Sequence, residues 1–227
     1  MSKALWVCTL FFLACSHGAQ APVTTPPPET IPVPRPTAQD TPITSTPLLR
    51  LNPSMHTARI NRLAVDRQER FAVTCSDDKS VLVWDLASGQ LQRRIRLPAG
   101  PGNIGKAYAV ALSPDGETIA VGGWTSKTVL DHFIYLYQRR SGKMRYTIAE
   151  LENVINHLAY SPDGCTLAAT LWGQNGLRLF NTDDYQLIYA DRDYGASSYW
   201  ASWLGNDALV TSSLAGLIRR YQRHVGD

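Results

Sequence analysis

Cysteine is scarce and unpaired along this chain. The four cysteines stand at positions 8, 15, 75 and 165 with no CxxC spacing among them, which excludes a zinc ribbon and a dithiol redox centre and leaves no disulfide framework to deduce. An excess of one charge is missing too. Lys and Arg number 22 against 19 Asp and Glu, a net charge of +3. The basic residues are scattered apart from the pairs Arg93-Arg94, Arg139-Arg140 and Arg219-Arg220, each inside a strand-like segment, so nothing demands a nucleic-acid partner. No GxSxG elbow, HExxH pair or P-loop occurs, and the enzyme classes those motifs mark have no support. No helical periodicity is present, and no apolar stretch has the length of a membrane-spanning helix. What the 227 residues do contain is 44% hydrophobic positions, sufficient for one ordinary core, with six Trp and ten Tyr spread over many short segments. That distribution points to an all-β chain.

The first part of the chain stands apart from this pattern. Lys3 precedes the apolar stretch Ala4 to Ala14, which has the length of the apolar region of a secretory leader. Two ways of cutting it compete. Ser16-His17-Gly18 supplies small residues at a signal-peptidase spacing, whereas Phe12-Leu13-Ala14-Cys15 resembles a bacterial lipobox in which Cys15 would carry a lipid. Residues 20–47 are rich in Pro and Thr; with so many amides missing, neither helix nor sheet ladder forms, and the segment reads as a tether. The expected division is a leader at 1–19, a disordered linker at 20–47 and a folded domain at 48–227. The protein is expected to be exported, to the periplasm or outer membrane as a lipoprotein or else in secreted form, and to meet a membrane only through Cys15.

Internal repetition dominates the remainder. Ser113-Pro114-Asp115-Gly116 recurs as Ser161-Pro162-Asp163-Gly164, 48 positions on, and the flanking strands recur with it. Weaker copies begin at Phe71 and Leu209, and each copy is followed by an apolar segment ending in an aromatic-polar pair: Trp84-Asp85, Tyr137-Gln138, Phe180-Asn181 and Tyr221-Gln222. A period of this length with several short strands per unit is the signature of propeller blades.

The segment Ser76 to Asp85, with Met55-His56 in the place of a Gly-His pair, resembles a WD40 repeat. The resemblance covers nearly everything from residue 48 onward, with the first unit near consensus and three divergent ones behind it. It implies an all-β, WD40-like β-propeller of about four blades, acting as a non-catalytic scaffold for other proteins, with no cofactor and no metal. It also implies a structural tetrad in blade one, made of Trp84, Thr74, His56 and Asp78, while the other blades lack the histidine and are expected to rely on packing. A periplasmic propeller enzyme or ligand-binding sensor, and a fragment of a larger WD40 protein, are the alternative readings.

About four blades leave three outcomes: an open arc, a tight ring in which Leu48-Leu49-Arg50-Leu51 supplies the last strand of blade four, or two chains paired in one ring. An arc exposes apolar faces and is expected to self-associate. Ser76, Trp124, Trp172 and Leu214 align at the end of the second strand, so Trp124 and Trp172 either anchor a binding rim or pack between blades. Asn103, Tyr108, Asn156, Asp193, Tyr194 and Tyr199 join that rim from the loops between blades. Asp131, His132, His157 and the pair Asp191 and Asp193 form no catalytic or calcium-binding pattern. Cys75 and Cys165 read as small buried residues of the second strand.

Overall fold

Short apolar segments punctuated by Gly, Asp and Ser can satisfy their backbone only by pairing with the next segment. The computed structural model, which describes residues 7–11, 55–128 and 131–224, shows that pairing repeated along the chain. After β1 (Val7–Phe11), the first sheet runs β2 (Ile60–Val65), β3 (Phe71–Ser76), β4 (Ser80–Asp85) and β5 (Leu91–Arg96). The second holds β6 (Lys106–Leu112), β7 (Thr118–Trp124), β8 (His132–Gln138) and β9 (Met144–Leu151). The third holds β10 (Ile155–Tyr160), β11 (Thr166–Leu171), β12 (Leu177–Asn181) and β13 (Leu187–Asp191), and the fourth β14 (Ser198–Leu204), β15 (Ala208–Ser213) and β16 (Ile218–His224). The first three sheets are antiparallel meanders in chain order, as are β14 to β16 of the fourth, and together they form an all-β, propeller-type fold.

The repeated Ser-Pro-Asp-Gly string makes the same turn twice. In each copy the Ser hydroxyl donates to the Asp carboxylate and accepts the amide of the Thr that opens the next strand, Thr118 or Thr166. The closing glycine takes a left-handed φ of 73° at Gly116 and 78° at Gly164, where a side chain would be strained.

Three apolar cores lie between successive sheets. Val73, Val83, Val121 and Tyr137 fill the first, Ile134, Leu136, Leu167 and Phe180 the second, and Leu177, Leu179, Leu209 and Tyr221 the third. The middle strands are therefore covered on both faces and read as continuous apolar runs rather than alternating ones. Among the described residues no core joins the fourth sheet back to the first. Leu63 of β2 is 61% exposed and Ile218 of β16 is 70% exposed, with Val65, Trp200 and Leu204 also open. Within the single chain the described sheets thus leave two end faces without a partner.

The segment 48–51, expected beside β16, lies outside the described residues. The place next to β16 is taken instead by β1, which pairs with it in parallel from Val7↔Arg220 to Phe11↔His224. The physical reason is the free edge of β16, whose unpaired N–H and C=O groups accept any extended segment within reach. Those five residues fall inside the stretch read as a leader, so a molecule that has lost its leader also lacks β1.

Polar locks hold blades one, three and four, each built differently. In blade one the Trp84 indole N–H donates to Thr74 Oγ1 (3.0 Å), which also meets His56 Nε2 (2.9 Å), while His56 Nδ1 contacts Asp78 Oδ2 (2.9 Å). Burial pushes the Asp78 carboxyl up, but the Ser80 hydroxyl, the Thr57 amide and His56 outweigh it and hold it below the ordinary carboxylate range. The expectation that the other blades rely on packing is corrected for blades three and four. In blade three the fully buried Arg178 forms a two-pronged pair with Glu152 at 2.6 and 3.2 Å. In blade four Tyr221 donates to Asp191 Oδ2 (2.6 Å), which also binds Arg219 (2.8 Å). There Tyr194 stands in the place of the missing histidine, hydrogen-bonded to Thr211, the register equivalent of Thr74. Tyr194 therefore leaves the rim: its side chain is fully buried, because a phenol in a core needs a partner and finds one in Thr211. Cys165 is corrected as well, lying partly exposed in the turn before β11, whereas Cys75 is buried on β3.

Tyr221→Ala is expected to destabilise by about 3–5 kcal/mol, no less than Trp84→Ala, and Tyr221→Phe by about 1 kcal/mol, read from urea midpoints. Asp78 and Glu152 are both held low against the upward push of burial, Glu152 by Arg178 and Arg192. Their contribution is fully present above the unfolded-state carboxylate values near about 4 and is lost as pH falls through their lower folded values. Acid titration of the melting temperature should show that loss, and Asp78→Asn should flatten part of it.

Candidate functional site

The innermost strand of every blade carries one residue too many. In β2 the pairing passes from Ile60↔Ser76 to Arg62↔Cys75, so Asn61 has no partner. The same skip omits Tyr108 in β6, Asn156 in β10 and Tyr199 in β14. A bulge of this kind turns its extra side chain out of the ladder, and here it does so at equivalent points in all four blades. Asn61, Tyr108, Asn156 and Tyr199 line one cleft of about 550 Å³ at the mouth of the inner strands, together with Arg59, Arg62, Trp124 and Trp172.

Two of the bulged side chains also tie blades together. Asn61 Nδ2 donates across to the Ala107 carbonyl of blade two (2.8 Å) and Asn156 Nδ2 to the Ser198 carbonyl of blade four (2.9 Å). The residue after the bulge points to the centre in three blades. Trp200 stacks on His157 with ring centroids 4.1 Å apart, and the Arg62 guanidinium lies 5.3 Å from the Trp200 ring. Burial, with Arg62 nearby, pushes the His157 pKa down to about 4. The imidazole is therefore neutral at ordinary pH, and its Nδ1 accepts the Ala201 amide.

Of the rim residues expected from sequence, Trp124, Trp172, Tyr108, Asn156 and Tyr199 come together in this cleft. Trp172 is 46% exposed, with Tyr199 edge-on to it at 5.8 Å. Asn103 and Asp193 are exposed in their loops and do not line it, and Tyr194 is buried. The strand-end alignment shifts by one: Asp77, not Ser76, is the backbone equivalent of Trp172 and Leu214, since all three amides bond to the segment before an inner strand. Sequence reasoning missed Arg59, Asn61, Arg62 and Trp200. An extra residue inside a strand leaves no mark in the apolar pattern, and only the paired register reveals which side chains it ejects.

The remaining polar candidates stay apart from the cleft. His132 is buried, its pKa lowered by burial, and its Nδ1 faces Thr125, while Asp131 takes the Ser126 hydroxyl. Among the described residues no three His, Cys, Asp or Glu converge as metal donors. Asn156→Ala should cost about 1–3 kcal/mol by leaving the Ser198 carbonyl without its donor, seen as a lower urea midpoint with unchanged slope.

Residues 47–85 match the family model described as "WD domain, G-beta repeat". The small ribosomal subunit protein RACK1 of Drosophila melanogaster is 31% identical over 102 residues, 45% of this chain and 28% of the relative. RACK1y of Oryza sativa subsp. japonica is 34% identical over 97 residues, 43% of this chain and 25% of that protein. The chain thus spans about a quarter of the length of these curated relatives. The crystal structure of RRP9 WD40 repeats superposes with a TM-score of 0.60 at 19% identity, covering 70% of this chain and 46% of that one. Residues 47–85 thus carry a WD repeat, and the sheets that follow share the propeller-type fold of the RRP9 repeats.

Proposed function

We propose that this protein is an exported, non-catalytic interaction scaffold that presents the cleft at its inner-strand mouth to a protein partner. The convergence of four bulge residues with Trp124 and Trp172 carries the reading, because aromatic side chains with polar tips on a rigid frame concentrate binding energy. WD40-repeat proteins are typically such scaffolds. The histidines support the non-catalytic part: His56 is engaged in the blade-one lock, His132 is buried against Thr125, and His157 lies neutral beneath Trp200. Export is supported by Lys3, the apolar stretch from Ala4 and the Pro/Thr-rich tether after Cys15. Removal of the leader would open the edge of β16, the strand that carries the exposed Ile218, and a second copy of the chain is the partner expected there.

Affinity capture from the cell envelope should retain proteins on the wild type and release them from the Trp124→Ala/Trp172→Ala double variant. Equal retention by both would remove the cleft as the binding surface. Cys15→Ser should move the protein from the membrane fraction to the soluble one with its fold intact, whereas a wild type that is already soluble would exclude lipidation.

A further inference from the structure

We infer that the cleft takes an acidic polypeptide segment, a carboxylate beside an aromatic or aliphatic side chain, with Arg62 as the carboxylate-binding residue. The inference rests on the proposed partner-binding role of the cleft and names the chemistry of that partner.

Arg62 is the anomaly that carries it. The side chain lies on the cleft wall, one position past the β2 bulge, with its guanidinium against the Trp200 ring. Its Nη1 donates to the Asn61 carbonyl (3.1 Å), and its Nε is buried with no acceptor. Among the described residues no carboxylate pairs with it, whereas Arg94, Arg139, Arg178 and Arg219 each have one. A buried guanidinium N–H with no acceptor is costly. A ligand oxygen would remove that cost.

The surroundings decide the sign and shape of the ligand. The nearby carboxylate, Asp77, is already engaged by Arg59 (3.4 Å) and by the Asn61 amide (2.7 Å), so it leaves Arg62 uncompensated. Arg59, on the same wall and 72% exposed at its side chain, is matched by Asp77, so the wall keeps one net positive charge, at Arg62. A planar guanidinium binds a carboxylate through two parallel hydrogen bonds. Around that charge Trp124, Trp172 and Tyr199 form apolar walls suited to a neighbouring side chain. A space of about 550 Å³ holds a few residues of extended chain, not a folded surface.

The test titrates the full chain with the peptide Ac-Phe-Glu-Phe-Glu-NH2 and its isostere Ac-Phe-Gln-Phe-Gln-NH2, reading the indole N–H resonances of the tryptophans. The acidic peptide is expected to bind roughly ten-fold tighter, in line with the greater strength of charge-assisted hydrogen bonds. Arg62→Gln should abolish the difference, while Trp124→Ala/Trp172→Ala should weaken both peptides alike. Equal binding of the two peptides to the wild type overturns the inference and leaves the cleft as a binding surface. Absence of binding by either peptide also overturns it, and the cleft then stands or falls on the envelope capture. Should Arg62→Gln fail to fold, the comparison of the two peptides on the wild type decides alone.

Discussion

A four-stranded sheet that is apolar on both faces is stable only between two others, and the rest of this structure follows from that constraint. Three interfaces meet it, each filled by Val, Leu, Ile and aromatic residues from facing sheets. Small residues set the spacing where sheets approach most closely. A Cβ at Gly122 would lie 2.7 Å from Ile155 of the next blade, so the glycine is required there by its neighbour rather than by its own strand. The same constraint is unmet at the two ends, where Leu63 and Val65 on one side and Trp200 and Ile218 on the other face solvent. One departure shows that the last face is not a plain continuation of the series. Arg220 stands at the register position that Val83, Leu136 and Leu179 occupy in the three blades before it.

Within blades one, three and four the polar groups solve one problem by different chemistry. Thr74 receives a histidine and an indole, whereas Thr211, at the same register, receives Tyr194. Blade three replaces the arrangement with a buried arginine on a glutamate. A buried polar atom needs a partner, but the partner's identity is free so long as its donor or acceptor reaches the same point. That freedom lets the later blades depart from the repeat consensus without losing the fold.

The inner-strand bulge links this architecture to the cleft. It breaks one ladder pair per blade and in return aims Asn61, Tyr108, Asn156 and Tyr199 toward one mouth. Because it recurs in all four sheets, the cleft is assembled from equivalent positions carrying unlike side chains, which gives a recognition surface its asymmetry while the backbone stays repetitive.

The strand order, the turn at each Ser-Pro-Asp-Gly string and the blade-one residues His56, Thr74, Asp78 and Trp84 were legible in the sequence, since each depends on local spacing and on a period that repeats within the chain. Trp124 and Trp172 were legible as rim residues for the same reason, whereas Tyr108, Asn156 and Tyr199, read as loop residues, lie at bulges inside β6, β10 and β14. Tertiary structure alone decided the rest. Tyr194 looked like a loop aromatic and became a core residue because Thr211 lies within its reach, 17 positions along the chain. Arg62, not singled out from the sequence, lacks a carboxylate partner among the described residues because Asp77 is engaged by Arg59 and the Asn61 amide. Local spacing specifies which segments pair, but what surrounds a side chain is set by residues distant in sequence.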